Sequence, residues 1–189
     1  MRATFGRSSG SSRPDDVRCA MSRAVGRSEP PFDGDEASSL GGWLDFYRAA
    51  VVSKVEGLDE DAVRWAPVAS GTNLLGILKH LAFAEDYWFG QIFAGEPERI
   101  SRIFPGDVVP ETETIDDVIS LYERLCERSR RILAETDPGS RARGNVQNRR
   151  GHARQFNLRW IVMHMIEETA RHAGHADIIR EQLDGRARS

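Results

Sequence analysis

The chain has 189 residues, enough for one domain with a sizeable hydrophobic core, and its net charge of −3 argues against general nucleic-acid binding. The two cysteines, Cys19 and Cys126, lie far apart in the sequence and support neither a disulfide framework nor a thiolate zinc cluster. No apolar run reaches the length of a membrane span and the N-terminus lacks the apolar core of a secretory signal, so we expect a soluble, cytoplasmic protein.

The first 35 residues are rich in Gly, Ser, Pro and Arg and contain few large apolar side chains. Such a composition buries too little surface to offset the entropy of ordering, so we predict a disordered basic tail over residues 1–35. A basic, serine-rich start also resembles an organelle transit peptide, and Met21 leaves open a start codon assigned too far upstream. The folded domain is predicted for residues 36–189.

Two amphipathic helices are predicted after the tail. The first begins at Glu36 and ends near Gly57, with apolar residues at intervals of three and four: Leu40, Trp43, Leu44, Tyr47, Val51, Val55 and Leu58. The second has Ser70 or Thr72 as its expected N-cap and Gly95 just past its C-terminus. Its side towards the core is predicted to carry Leu74, Leu78, Leu81, Trp88 and Ile92.

A connecting loop with three prolines, residues 95–113, separates the second helix from the third. The third helix is predicted to begin near Thr114, where T-I-D-D resembles a capping box, and to end near Asp137. The next segment, residues 139–154, carries five Arg and no acidic residue. We expect a mobile, solvated loop there, and an anion-binding lid is the alternative.

The fourth predicted helix begins near Asn157 and ends at Gly185. Four amphipathic helices without a credible strand predict an all-α fold, a four-helix bundle preceded by the disordered tail. The sequence leaves the order and handedness of the helices undecided.

Four side chains that can ligate a metal share one side of the fourth helix, at about 100° of rotation per residue: His164, Glu168, His172 and His175. Apolar residues border this side, so the polar groups approach the bundle interior, where an unpaired charge is costly. Ligands at i and i+4 converge on one point, and both Glu168 with His172 and His164 with Glu168 have this spacing.

A third ligand must come from another helix, and His80 is the candidate. It lies on the otherwise apolar second helix, with Gly76 and Ala84 one turn away on either side, which would leave room for an ion. Two imidazoles and one carboxylate suit Zn, Ni, Fe or Co, with open positions for water or substrate. The alternative is that His80 is a hydrogen-bonded core histidine and the polar cluster only a buried network.

The motifs LLGILKHL, AEDYWF and LRWIVMHMIEETARHAGHADIIREQLDG resemble the DinB-like superfamily of metal-binding four-helix bundles, in particular its actinobacterial-type branch, over residues 38–186. The resemblance implies a divalent metal, zinc in the first place, held by His80, Glu168 and His172. The related mycothiol-dependent maleylpyruvate isomerase uses such a His, Glu, His set. In the family motif H-x-x-x-H-R-G-Q, His175 takes the place of Gln, which implies a role beside the metal, and His164 has no ligand counterpart.

By this resemblance we expect a metal-dependent transferase or isomerase that uses a low-molecular-weight thiol, such as mycothiol or bacillithiol, as cosubstrate. A metal with an open position stabilises a thiolate at neutral pH, and His175 is positioned by sequence to relay a proton. Arg171, Arg180 or the basic loop of residues 141–154 are candidates to hold the carboxylate of an acidic cosubstrate.

Two other functions remain open at this point. A metal-dependent hydrolase would use the same ligands with a bound water as nucleophile and Glu167 or His175 as base. A stress-associated bundle with a structural metal, or with none, would need no catalytic residue. We expect a small-molecule substrate and a thiol as partners, with no nucleic acid and no membrane. A homodimer is an open alternative because bundles often pair through an exposed helical face, although no heptad seam in the sequence specifies one.

Overall fold

The computed structural model describes residues 28–147 and 153–186, so most of the predicted tail and the centre of the arginine-rich loop lie outside the described residues. The helices are α1 (Glu36–Val52), α2 (Glu60–Arg64), α3 (Leu74–Glu85), α4 (Ile115–Glu135) and α5 (Leu158–Arg186). A π-helix, Asp86–Phe93, continues α3 without a break. Two short antiparallel strands, β1 (Val146–Gln147) and β2 (Ala153–Arg154), precede α5.

The predicted all-α bundle is confirmed, and several of its helix ends lie where the sequence indicates. Thr114 caps α4 in a complete capping box with Asp117, and Asp35 caps α1. Gly95, one residue after the C-cap of the π-helix, has a φ of +69°, a left-handed conformation that glycine adopts at little cost. Among the described residues, no helix is both long and apolar enough to cross a membrane.

Three predicted helix boundaries are wrong. Helix α1 ends at Val52 and not near Gly57. The N-cap of α3 is Asn73, whose side chain accepts a hydrogen bond from the Gly76 amide at 2.8 Å. The hydroxyls of Ser70 and Thr72 bond to each other at 2.9 Å instead, which satisfies both groups outside the helix. Gly185 does not end the fourth helix, because α5 continues through it to Arg186.

The short elements α2, β1 and β2 are absent from the sequence prediction. The five residues of α2 fall between the first two predicted helices, and Asp59 provides the N-cap. The strands have two residues each, too few for the alternation of apolar and polar residues that identifies a strand.

Ion pairs and ring contacts define the directions of the four long helices. Salt bridges Glu36–Arg159 and Lys54–Asp177 show that α1 and α5 are parallel. His80 contacts Glu168, and Trp88, on the π-helix that continues α3, contacts His164, so α3 runs antiparallel to α5. Arg48–Ser129 and Asp45–Arg130 contacts make α4 antiparallel to α1. It follows that α3 and α4, which pack together, are parallel, and parallel neighbours require the long crossover predicted between them.

A buried polar layer divides the core of the bundle. The Arg48 guanidinium, 4% exposed, donates to Glu85 Oε1 at 2.9 and 2.6 Å and to Ser129 Oγ at 2.6 Å, and so joins α1, α3 and α4. One cluster of buried apolar side chains lies on each side of this layer, the first around Leu78 and the second around Met165.

Replacing Thr114 with alanine is expected to lower the thermal midpoint of unfolding by about 2–4 °C, because it removes the N-cap of α4. Hydrogen bonds from Thr114 lower the pKa of Asp117, so this stabilisation is present above the ordinary carboxyl pKa and is lost as the pH falls through the lowered one. Thermal unfolding followed by circular dichroism measures the change. Thr112→Ala, two residues before the cap, is the control, and an equal loss in both variants would contradict a capping role.

Candidate metal centre

Three side chains from two helices meet in the groove between α3 and α5. His80 Nε2 lies 2.9 Å from Glu168 Oε1, and His172 Nε2 lies 3.2 Å from the same oxygen. One ligand atom from each of the three residues lies within 4.8 Å of the others. Helices α3 and α5 are neighbours, and the i, i+4 pair of α5 lies against His80, so the three residues named as candidate ligands are brought together.

The crossover segment sets the protonation of His80. His80 Nδ1 lies 2.7 Å from the backbone carbonyl of Ile103, and because a carbonyl only accepts, Nδ1 must carry the proton. A ring that carries this proton alone presents the lone pair of Nε2 to Glu168 Oε1, so two acceptors face each other. Such an arrangement requires a positive charge between them, either a further proton or a metal ion, and a divalent metal fits this set of donors.

The Glu168 carboxylate is held in its ionised form. Where a proton on each Nε2 supplies that positive charge, the hydrogen bonds from His172 and His80 lower the pKa of Glu168 far below the usual range, and the charge of Arg171 adds to this against the opposing effect of burial. Arg171 binds the second oxygen, Oε2, and thereby orients the carboxylate so that Oε1 faces the imidazoles. In the part of the chain that is described, His172 Nδ1 is buried and has no hydrogen-bond partner.

The two predicted catalytic residues lie at the rim of the groove. The ring of His175 meets that of His172 edge to face, with centroids 5.4 Å apart, and His175 is exposed. Partial burial lowers the pKa of His175, and the charges of His172 and Arg171 lower it further, which favours the neutral imidazole. Glu167 is exposed and bound to Arg171 Nε at 2.8 Å.

His164 belongs to an aromatic cluster instead of the ligand set. Its ring stacks on Trp160 with a centroid distance of 5.3 Å and meets the edge of Trp88 at 4.7 Å. Burial lowers the pKa of His164. Trp88 lies on the π-helix, whose wider turn departs from the 3.6-residue period used in sequence analysis.

Arg180, the other predicted anion-binding residue, lies two turns beyond His172. Its guanidinium donates to the backbone carbonyls of Lys54 and Glu56 at 3.0 and 2.9 Å, and its Nε donates to Asp184 at 3.1 Å. These bonds anchor the segment after α1 to α5. Residues 148–152 of the basic loop lie outside the described residues.

Sequence reasoning did not find Ile103, because it acts through its backbone carbonyl and any residue type has one. The small residue Gly76 also has a different role from the one predicted. The backbone of Pro105 fills the space beside it, so Gly76 makes room for the crossover segment and not for an ion.

A family model described as Mycothiol-S-transferase matches residues 39–185 of the chain. This family is of the DinB-like type, so the resemblance inferred from the motifs is confirmed. No curated protein matches the chain.

Proposed function

Since the chain belongs to the mycothiol S-transferase family, we propose that it transfers a low-molecular-weight thiol such as mycothiol to an electrophilic small molecule, with a divalent metal as cofactor. The observation that carries the metal dependence is the convergence of His80, Glu168 and His172 within 4.8 Å. Zinc is the proposed ion because two imidazoles and a carboxylate are typical of catalytic zinc sites. The reducing cytoplasm, where such thiols persist, is the proposed location.

The ligands are held in place by their neighbours. Ile103 fixes the ring of His80, and Arg171 fixes the carboxylate of Glu168, so both have defined orientations before anything binds. When bound, the metal would supply the positive charge that stabilises a thiolate at neutral pH.

The nucleophilic sulfur is proposed to come from the cosubstrate. Cys126 is buried in α4, and burial strongly raises the pKa of its thiol, so it is a poor nucleophile; Cys19 lies outside the described residues. The proton leaves the cosubstrate thiol for the exposed imidazole of His175, the sulfur forms a bond to the electrophilic carbon, and the leaving group departs with the electrons of its own bond.

Arg171 is the proposed contact for an acidic group of a substrate. Its side chain is 45% exposed at the rim, next to His175 and one turn from Glu168. Arg180 would have to give up its bonds to the end of α1 to take this role, so Arg171 is preferred. Glu167 is proposed to hold Arg171 in position.

The proposed function is tested with mycothiol and the electrophile monochlorobimane, whose conjugation to a thiol releases chloride and produces fluorescence. We expect zinc-loaded protein to accelerate conjugation and chelator-treated protein to lose this acceleration. His175→Gln is expected to retain zinc and to slow the reaction by about 10²-fold or more if it accepts the proton. An equal rate after chelation would contradict metal dependence, and turnover of an ester panel without thiol would favour a hydrolase.

A further inference from the structure

The crossover between α3 and α4 forms a tight turn against the start of α3. Within this turn, which we define as residues 103–107, the Asp107 amide donates to the Phe104 carbonyl at 2.9 Å. The Asp107 side chain accepts from the Phe104 amide at 2.8 Å. The Ile103 carbonyl, at the beginning of the turn, accepts from His80.

We propose that this turn is a structural part of the metal centre: its docking on α3 places the Ile103 carbonyl so that His80 carries its proton on Nδ1 and presents Nε2 to Glu168. The carbonyl thereby acts as a positioning group. The part of the inference that concerns metal affinity rests on the proposed function, and the part that concerns the His80 proton does not.

Glycines allow the turn to approach α3 backbone to backbone. A Cβ atom on Gly76 would lie well within 3.0 Å of the Pro105 carbonyl oxygen, and one on Gly106 well within 3.0 Å of the Ser70 carbonyl oxygen. Gly71 has a φ of +77°, and a Cβ there would lie 2.9 Å from the Gly106 carbonyl oxygen. Any side chain at these positions would therefore move the turn away from the helix.

The cap of α3 ties the turn to the helix that carries His80. The Asn73 amide donates to the Pro105 carbonyl at 3.4 Å, while the Asn73 side chain accepts from the Gly76 amide at 2.8 Å. Gly76 lies one helical turn before His80, on the same face of α3. Pro105 is two residues after Ile103, and its carbonyl lies beside Gly76, one helical turn before His80. A displacement of Pro105 would therefore move the Ile103 carbonyl relative to the His80 ring.

The ligand set depends on this docking through the proton of His80. Without the carbonyl, the Nδ1–H would lose its acceptor, and the ring would be free to rotate or to exchange its tautomer, which would place an N–H where a lone pair is required. By linkage, an ion that binds the lone pair of Nε2 also stabilises the docked turn.

The test compares Gly76→Ala with Gly174→Ala, a control on α5 where an added Cβ would meet no atom within 4 Å outside its own helix and chain neighbours. Hydrogen exchange of the His80 Nδ1–H, assigned by its loss in His80→Ala, is measured by NMR in metal-free and zinc-loaded protein. We expect slow exchange in the natural protein and in Gly174→Ala, and exchange about tenfold faster in Gly76→Ala. Zinc affinity is expected to fall about 10–100-fold in Gly76→Ala alone.

If Gly76→Ala does not fold, Gly106→Ala displaces the same turn from the other side. Fast exchange of the Nδ1–H in the natural protein, or unchanged exchange in folded Gly76→Ala and Gly106→Ala, would overturn the inference. The two proposals can fail separately. If the natural protein does not bind zinc, the proposed function is contradicted. If the Nδ1–H still exchanges slowly in the natural protein and fast in the variants, the role of the turn is supported all the same.

Discussion

Replacing His172 with alanine is expected to leave the purified protein with almost no bound metal, while the natural protein retains close to one equivalent. His172 Nε2 and His80 Nε2 both approach Glu168 Oε1, so each imidazole is one of three proposed ligands, and no further His, Cys, Asp or Glu of the described residues belongs to this group. The loss of metal affinity should exceed the roughly 10–100-fold that is usual when a residue hydrogen-bonded to a ligand is mutated. His80→Ala is expected to behave in the same way.

Metal analysis of protein purified without a metal-binding tag measures this effect. His175→Ala and His164→Ala are matched controls, because the first contacts the centre only through the edge of its ring and the second lies in the aromatic cluster. Less than about a tenth of an equivalent in the natural protein would contradict a metal site. Metal content in His80→Ala and His172→Ala equal to that of the natural protein would contradict the ligand assignment.

Breaking the buried ion pair in the polar layer should have the largest effect on stability. Glu85 is 1% exposed, and its Oε1 accepts both bonds from Arg48, so Arg48→Met leaves a buried carboxylate without its counter-charge. Removal of one partner of such a pair costs about 3–5 kcal/mol of unfolding free energy. For a domain of this size we expect a fall of roughly 10 °C in the thermal midpoint.

The double variant Arg48→Met, Glu85→Leu removes both charges but keeps side chains of similar size, so it separates the effect of an unpaired charge from the effect of lost packing. It should recover most of the lost stability, because two apolar side chains of similar size need no counter-charge between the two apolar clusters. Arg130→Met removes a half-exposed guanidinium that pairs with Asp45, and a loss of about 1 kcal/mol or less is expected there. Equal midpoints for Arg48→Met and the natural protein would contradict a stabilising pair.

Local features of the sequence were sufficient for much of the fold. Apolar periodicity predicts helices α1, α3, α4 and α5. The capping box at Thr114 predicts the start of α4, and Gly95 predicts the end of the π-helix that continues α3. The N-cap of α3 could not be chosen in this way. Ser70, Thr72 and Asn73 all have capping side chains, and in the structure Asn73 caps the helix while the hydroxyls of the other two bond to each other.

The sequence by itself determined that Glu168, His172 and two further histidines share one side of a helix, because that follows from the helical repeat. Only the tertiary structure decided which of them meet His80, because this depends on α3 and α5 being antiparallel neighbours. It also placed His164 among aromatic rings and the Ile103 carbonyl behind His80. A backbone carbonyl carries no residue identity, so its part in the site depends on where the crossover docks and leaves no trace in the residue pattern.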